Sequence, residues 1–420
     1  MMLIELPPDA GPAAAPTLSA ANWRAKKILL VAHKFPPFMG GIEMHTYEVG
    51  RRMAAWGHAV TVLTGDPTGK LAKEENVEGM RVLRVPVYPK SSDVFFAPSL
   101  YGAVAAADCD VIHIQGFHTL VPPVAMTAGA RTGKPYVLTF HSGGHSSRAR
   151  NLVRGLQRAV LRPLLARADR LIAVSEFEAS HFAAGLRMPR ERFVVVPNGA
   201  EIEAGPSVGT VDQTKPLIIT VGRLEKYKGH HRAIAAFAKL LEIYPTAELR
   251  VLGEGPFRPN LVQLVQELGL GERVTIGGIP PGERGRMGAM MSRAALVAFL
   301  SDYEAHPVAA LEAISLGRPV IASDSTGFQE MVAKGLVRGV DPHAPPSVIA
   351  RAMADEIARP AKATTRVALN SWDDCARNLV EIYHNVAGRG DAPAGGVGRR
   401  LVNRVPLSDQ QSDNARASAC

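Results

Sequence analysis

Cysteine is scarce in this chain: three residues, Cys109, Cys375 and Cys420, are scattered across 420 positions. That spacing offers neither a disulfide framework nor a metal-ligand pattern, and it suits a reducing, cytoplasmic setting. Long apolar runs are missing too, since none approaches the roughly 20 residues a helix needs to cross a bilayer. Positions 1–22 are rich in Pro and Ala and lack a charged segment followed by an apolar core, so they do not read as a signal peptide. No aromatic platform and no nucleic-acid-binding signature accompanies the basic residues, and nucleic acid is not an expected partner.

Positive charge is what the chain does have, at net +9. It leaves an anionic membrane surface or a phosphorylated ligand as readings. Much of it lies in the stretch from Arg148 to Arg170 and in a tail carrying Arg389, Arg399, Arg400 and Arg404. That tail, 389–420, is rich in Gly, Ser, Asn and Asp, and together with the first segment, 1–24, it is expected to be disordered. With 46% apolar residues and 420 positions, the remainder should form two domains with separate cores.

Strand-like runs at 27–33, 59–64, 111–115, 136–141, 170–174 and 193–197 alternate with helix-like segments such as 43–56. A second series has strands at 217–221, 248–253, 274–277, 295–300 and 319–323, with helices at 231–243, 260–268, 283–292 and 308–316. The polar stretch 205–216 joins them. The expected fold class is α/β: two Rossmann-like doubly wound domains, 25–205 and 217–370, facing across a cleft at the carboxyl ends of their strands.

Three segments carry candidate chemistry. The first strand runs into Lys34-Phe35-Pro36-Pro37-Phe38-Met39-Gly40-Gly41, where paired glycines before a helix allow backbone N–H groups to approach an anion. The plain alternative is a tight strand–helix turn, and the dinucleotide fingerprint is absent. The second domain opens with a strand followed by Gly222-Arg223-Leu224-Glu225-Lys226-Tyr227-Lys228-Gly229. Arg223 could fork onto a phosphate while Lys228 serves as a point charge. The third segment is Glu304-Ala305-His306-Pro307-Val308, leading to Glu312. Pro307 suits a helix start and His306 before it should be extended, so Glu304 lies on a loop and Glu312 about a turn into the helix. The N–H groups near Val308 offer another anion seat; a helix cap and a surface charge are the structural alternatives for the two glutamates.

In this order the segments resemble glycosyltransferase family 4, the retaining transferases with a GT-B fold. The likeness covers roughly 27–385. It includes Gly40-Gly41, His141 in Thr139-Phe140-His141-Ser142-Gly143, Ala173-Val174-Ser175, Val196-Pro197-Asn198-Gly199 and Val221-Gly222-Arg223 with Lys228-Gly229. It continues through Leu252-Gly253-Glu254-Gly255, Glu304 and Glu312, and Gly317-Arg318-Pro319-Val320.

The resemblance implies that Gly40, Gly41 and Gly222 approach the donor diphosphate and that Arg223 and Lys228 neutralise it as it leaves. Glu312 would bind the ribose, Glu304 the donor sugar, His306 and Val308 would belong to the donor loop, and His141 would sit near the reaction centre. A nucleoside-diphosphate sugar donor, a hydroxyl acceptor and no metal or other cofactor are implied, as is a last helix, 371–388, crossing back to an acceptor-side first domain. Two positions depart from the family pattern. Ala305-His306-Pro307 stands where Gly-Phe-Gly is common, and Ser325-Thr326-Gly327 has one glycine where two are frequent. An epimerase-like enzyme and a silent nucleotide-sugar or membrane-surface binder remain as other readings.

Two further signals are set against plainer explanations. Asp108-Cys109-Asp110 spells a metal-binding Asp-x-Asp, but its place before a strand is ordinary for helix-ending acids. His113 and His118 read as core and loop residues. The arginine-rich stretch 148–170 reads as a surface helix with a solvated basic face, interrupted at Pro163, with peripheral contact to anionic membrane as the alternative.

Overall fold

The computed structural model describes residues 24–38, 40–89, 95–141, 148–202, 211–212, 214–280, 283–358 and 369–387, without the side chains of 148–154. The segments expected to be disordered, apart from Arg24, and most of the linker 205–216 lie outside the described residues.

Eight strands form the first sheet: β1 (Lys27–Ala32), β2 (Ala59–Asp66), β3 (Glu74–Val77), β4 (Met80–Pro86), β5 (Val111–Gln115), β6 (Tyr136–Thr139), β7 (Arg170–Ala173) and β8 (Phe193–Val195). Their order is β3-β4-β2-β1-β5-β6-β7-β8, parallel throughout except for β3 against β4. The second sheet holds β9 (Leu217–Val221), β10 (Glu248–Leu252), β11 (Val274–Gly277), β12 (Leu296–Phe299), β13 (Val320–Ser323) and β14 (Arg338–Val340), in the all-parallel order β11-β10-β9-β12-β13-β14. The central strands are covered on both faces, so they read as unbroken apolar runs; Ile28–Ala32 is buried residue for residue.

The hairpin β3–β4 and the edge strand β14 were not anticipated from the sequence. The hairpin turns at Glu78-Gly79, both with positive φ, and Asn76 Oδ1 accepts from Gly79 N at 3.1 Å. Glutamate is an unusual first residue for such a turn, which hides it from a search for Asn-Gly or Asp-Gly. The helix Arg148–Arg167 also continues through Pro163 instead of stopping there. Pro163 and Ala159 both face solvent, so the carbonyl that loses its partner can be hydrated.

Helices Ser99–Ala106, Val121–Thr132, Arg148–Arg167 and Glu176–Leu186 cover one face of the first sheet. Gly41–Ala55 covers the other, together with the last helix, Trp372–Ala387. The last helix therefore follows the second domain in sequence and packs into the first. Trp372 and Tyr383 are fully buried there, and a Cβ at Gly199 would overlap the Trp372 ring and backbone. Arg52, on Gly41–Ala55, ties the seam by bonding Asp373 at 2.5 Å and Glu201 at 2.6 Å. Among the described residues, no helix is long and apolar enough to cross a membrane.

Trp372→Ala should cost about 3–5 kcal/mol of stability, the usual penalty for emptying a large aromatic site in a core. Tyr383→Phe, which removes only the bond to His113 Nδ1, should cost about 1 kcal/mol. Urea unfolding of both variants checks the ratio.

Candidate active site

Each sheet has one point where consecutive crossovers leave in opposite directions. In the first, β1 feeds the helix Gly41–Ala55 on one face and β5 feeds Val121–Thr132 on the other. In the second, β9 feeds His230–Leu240 and the neighbouring β12 feeds Val308–Ser315 on the opposite face. Ligands of doubly wound sheets bind in the crevice at such a switch point. The three candidate segments follow β1, β9 and β12, so the topology collects them at one cleft.

On the first-domain side, Gly40 caps the helix Gly41–Ala55 with extended backbone and no side-chain bond. A Cβ at Gly40 would strike the Glu43 carboxylate, whereas a Cβ at Gly41 would meet nothing within 4 Å among the described residues. Gly40 thus makes room for an acid, and Gly41 leaves space at the helix N-terminus. Glu43 is buried and lies 3.5 Å from His33 Nε2. Burial pushes its carboxyl pKa up, against its own backbone N–H and the charges of Lys34, His118 and Arg223. The Asn198–His306 contact, between the loops that follow β8 and β12, brings the carboxyl ends of the two sheets together.

His141 adopts a left-handed φ of +46° at the end of β6, a conformation that a non-glycine residue holds only where its surroundings compel it. Its Nε2 donates to Gln115 Oε1 at 2.8 Å. Burial, followed by the neighbouring histidines, drives its pKa well below 6.5. The ring is therefore neutral near pH 7.

On the second-domain side, Gly222 takes φ +150° and leads into Arg223, whose side chain is 54% exposed and meets only Glu225, at 3.4 Å, among the described contacts. The Arg223 carbonyl accepts from His230 Nε2 at 3.2 Å, and His230 Nδ1 lies 3.1 Å from Thr220 Oγ1. Lys228 is not a lone point charge: its Nζ donates to Glu304 Oε1 at 2.6 Å. Burial works to lower the Lys228 pKa, but the Glu304 carboxylate outweighs it and the pKa is raised, so the ammonium stays charged.

Glu304 is fastened on its backbone as well. Its N donates to Thr326 Oγ1 at 3.0 Å and its carbonyl accepts from Gly327 N at 2.8 Å. Thr326 stands at φ +51°, ψ −130°, a conformation suited to glycine. This explains the missing second glycine, because the threonine hydroxyl supplies a bond that glycine could not. Glu312 is 1% exposed and pairs closely with Arg284, which the sequence reading had not singled out. Burial raises the Glu312 pKa, and Arg284 pulls it back.

Two donor-loop residues also touch the first domain. His306 is taken up by the first domain: Asn198 N donates to its Nδ1 at 3.3 Å and Asn198 Nδ2 to its carbonyl at 3.2 Å. The Val308 side chain packs against the core cluster of the first sheet, and the anion seat expected there is the backbone N–H.

Asp108 and Asp110 lie away from all of this. They bond Lys27 Nζ at 2.5 Å and Lys27 N at 2.8 Å, at the end of β1 opposite the cleft. His113 is a core residue, 2.5 Å from Tyr383 Oη and 2.7 Å from Thr139 Oγ1. Glu43, Arg284, Asn198, His230 and Thr326 are the site residues that sequence reasoning did not assign. Asn198 carried a signal as part of a matched motif and Thr326 as a departure from one; the others are named only by what they touch.

Two Rossmann-like domains with facing switch points define a GT-B enzyme. Residues 39–204 match the profile described as Glycosyltransferase Family 4, and residues 202–365 match that of glycosyl transferases group 1. The chain belongs to glycosyltransferase family 4 and is a glycosyltransferase. It is 33% identical to a D-inositol 3-phosphate glycosyltransferase of Corynebacterium urealyticum, over 52% of this chain and 57% of that protein. It is 28% identical to a GDP-mannose:cellobiosyl-diphosphopolyprenol alpha-mannosyltransferase of Xanthomonas campestris, over 86% of this chain and 97% of that protein. A sucrose-phosphate synthase structure from Thermosynechococcus elongatus superposes with a TM-score of 0.70 at 21% identity, covering 86% of this chain and 99% of that one.

Burial holds His45 and His230 down to about 4, from the ordinary 6.5. As pH falls below 6.5 the unfolded chain protonates these rings and the folded one does not, so stability is complete above that value and declines toward pH 4. Each ring contributes a slope of about 1.4 kcal/mol per pH unit in that window. His230→Gln should flatten the measured slope by that amount in urea melts taken between about pH 6 and 4.5.

Proposed function

We propose that this enzyme moves a hexose from a nucleoside-diphosphate sugar to a hydroxyl acceptor, with retention at the anomeric carbon. The observation that carries the reading is a half-exposed guanidinium, Arg223 at the end of β9, together with the uncapped helix start at Gly40-Gly41 after β1, each at its own sheet's switch point. A diphosphate between them meets a fork of N–H donors on one side and helix N–H groups on the other. The mannosyltransferase relative, whose name specifies GDP-mannose, supports a nucleotide-sugar donor.

In this reading Glu312 accepts from the ribose hydroxyls and shares its carboxylate with Arg284. Lys228 orients Glu304 against the sugar hydroxyls and adds charge at the phosphates. The bond from the anomeric carbon to the phosphate oxygen breaks, and its electron pair stays on the diphosphate, stabilised by Arg223 and Lys228. The acceptor oxygen bonds to the same face, and its proton passes to the departing phosphate. The lysine and arginine supply the positive charge this requires, so no metal is assigned. His141, neutral and fixed by Gln115, lies near the sugar.

The acceptor approaches along the first domain, where an anionic membrane surface is the second element of the proposal. The helix Arg148–Arg167 turns Leu156 and Val160 to solvent, 67% and 64% exposed, among arginines. Gln157 ties this helix to Phe117 O at 3.0 Å. The neighbouring loop presents Leu120, and an apolar groove nearby is lined by Phe96, Tyr101, Leu120 and Val124. Exposed apolar side chains on an arginine-rich helix suit a cytoplasmic enzyme that rests on an acidic bilayer.

Wild-type protein should be thermally stabilised by at least one nucleotide sugar and hydrolyse it slowly. Arg223→Ala should lower kcat/KM by about 10²–10³. Failure of every donor to bind, or an Arg223→Ala enzyme equal to wild type, overturns the assignment. Flotation should carry the protein with anionic vesicles and not with neutral ones. Leu156→Glu with Val160→Glu should weaken that partition at least about tenfold.

A further inference from the structure

The first domain's Asn198 and the second domain's His306 make the most direct polar contact between the two halves of the reaction centre. Asn198 follows β8, is 4% exposed, and uses three of its groups. Its Oδ1 accepts from His45 Nδ1 at 2.9 Å, its Nδ2 donates to the His306 carbonyl at 3.2 Å, and its backbone N donates to His306 Nδ1 at 3.3 Å. These roles require a proton on His45 Nδ1 and a neutral His306 with its lone pair on Nδ1. The His45 ring, in turn, packs edge-on against His141 at 4.5 Å and against Trp372 at 5.9 Å.

A chain of contacts thus runs from His141, through His45 and Asn198, to His306, two residues from Glu304. It is braced at both ends. Behind Asn198, Gly199 presses on Trp372 so closely that no side chain would fit. Beyond His306, Val308 packs on the first domain's core, while Glu304 is held by Lys228 and Thr326. A phenylalanine at 306 could not accept from Asn198 N, which would leave that amide buried and unpaired.

We propose that Asn198, His45 and His306 form an interdomain clamp that sets the register of the Glu304 carboxylate against His141, making them positioning residues for sugar transfer. The Ala305-His306-Pro307 departure then encodes domain registry and not recognition of the donor sugar. This rests on the transfer reaction proposed above, so its test includes a measurement that needs no turnover.

His306→Leu and Asn198→Ala should each lower kcat for transfer by at least about tenfold, as small misalignments do. The donor dissociation constant should stay within about twofold, because Arg223 and Glu312 are untouched. His306→Asn, whose Oδ1 can accept where Nδ1 did, should recover most of kcat. The double variant should be no worse than either single one, as partners in one contact are non-additive.

Without substrate, small-angle scattering should show a larger radius of gyration for His306→Leu and Asn198→Ala than for wild type and His306→Asn, at unchanged secondary structure. Donor affinity that falls in step with kcat, or a His306→Asn enzyme as impaired as His306→Leu, would mean that His306 touches the donor, and the clamp is wrong. Unchanged scattering in both disrupted variants also overturns it. If scattering responds as stated but wild type transfers no sugar, the clamp stands and the reaction assignment fails.

Discussion

The return of the last helix into the first domain is the constraint on which the cleft depends. Trp372, Cys375, Leu379, Val380 and Tyr383 complete a core shared with β1, β2 and the helix Gly41–Ala55. The chain therefore passes between the domains twice, and the second crossing lies alongside the segment leading to the first. Ala200 N donates to Asn370 O at 3.0 Å and Asn370 Nδ2 to Pro197 O at 2.9 Å. Two adjacent crossings restrict relative motion far more than a single linker would. Asn198, which reaches His306, stands between those two bonded positions.

Charge at the cleft follows from burial. A carboxylate as enclosed as Glu312 or Glu43 must be paired or protonated, because desolvation of an isolated ion is costly. Each has a partner, Arg284 and His33, and Glu304 has Lys228. Arg223 is the contrast, with a long contact to Glu225 and most of its guanidinium in solvent. The cleft therefore holds acids already paired within the protein and one arginine left largely in solvent.

Much of the architecture was legible in the residue pattern. Strand positions could be anticipated because strands buried on both faces appear as apolar runs between amphipathic helices, and glycines mark their carboxyl ends. The hairpin β3–β4 escaped because its turn uses Glu78 at positive φ. The helix through Pro163 was misread because proline tolerance depends on which face is wet, a property of packing. Single charges in motifs could be named, but their partners could not: Arg284 meets Glu312 from 28 positions away, and Asn198 meets His306 across 108.

By itself, then, the sequence determined the repeated strand–helix plan, the glycine-marked strand ends and the identity of the charged groups beside them. These are local properties, set by periodicity, backbone preference and side-chain chemistry. Only the tertiary structure decided which of those groups face each other, which are neutralised within the protein, and that His306 bonds Asn198 across the seam between domains. Distance, burial and hydrogen-bond geometry between remote segments make those choices, and they exist only once both sheets and the returning helix have packed.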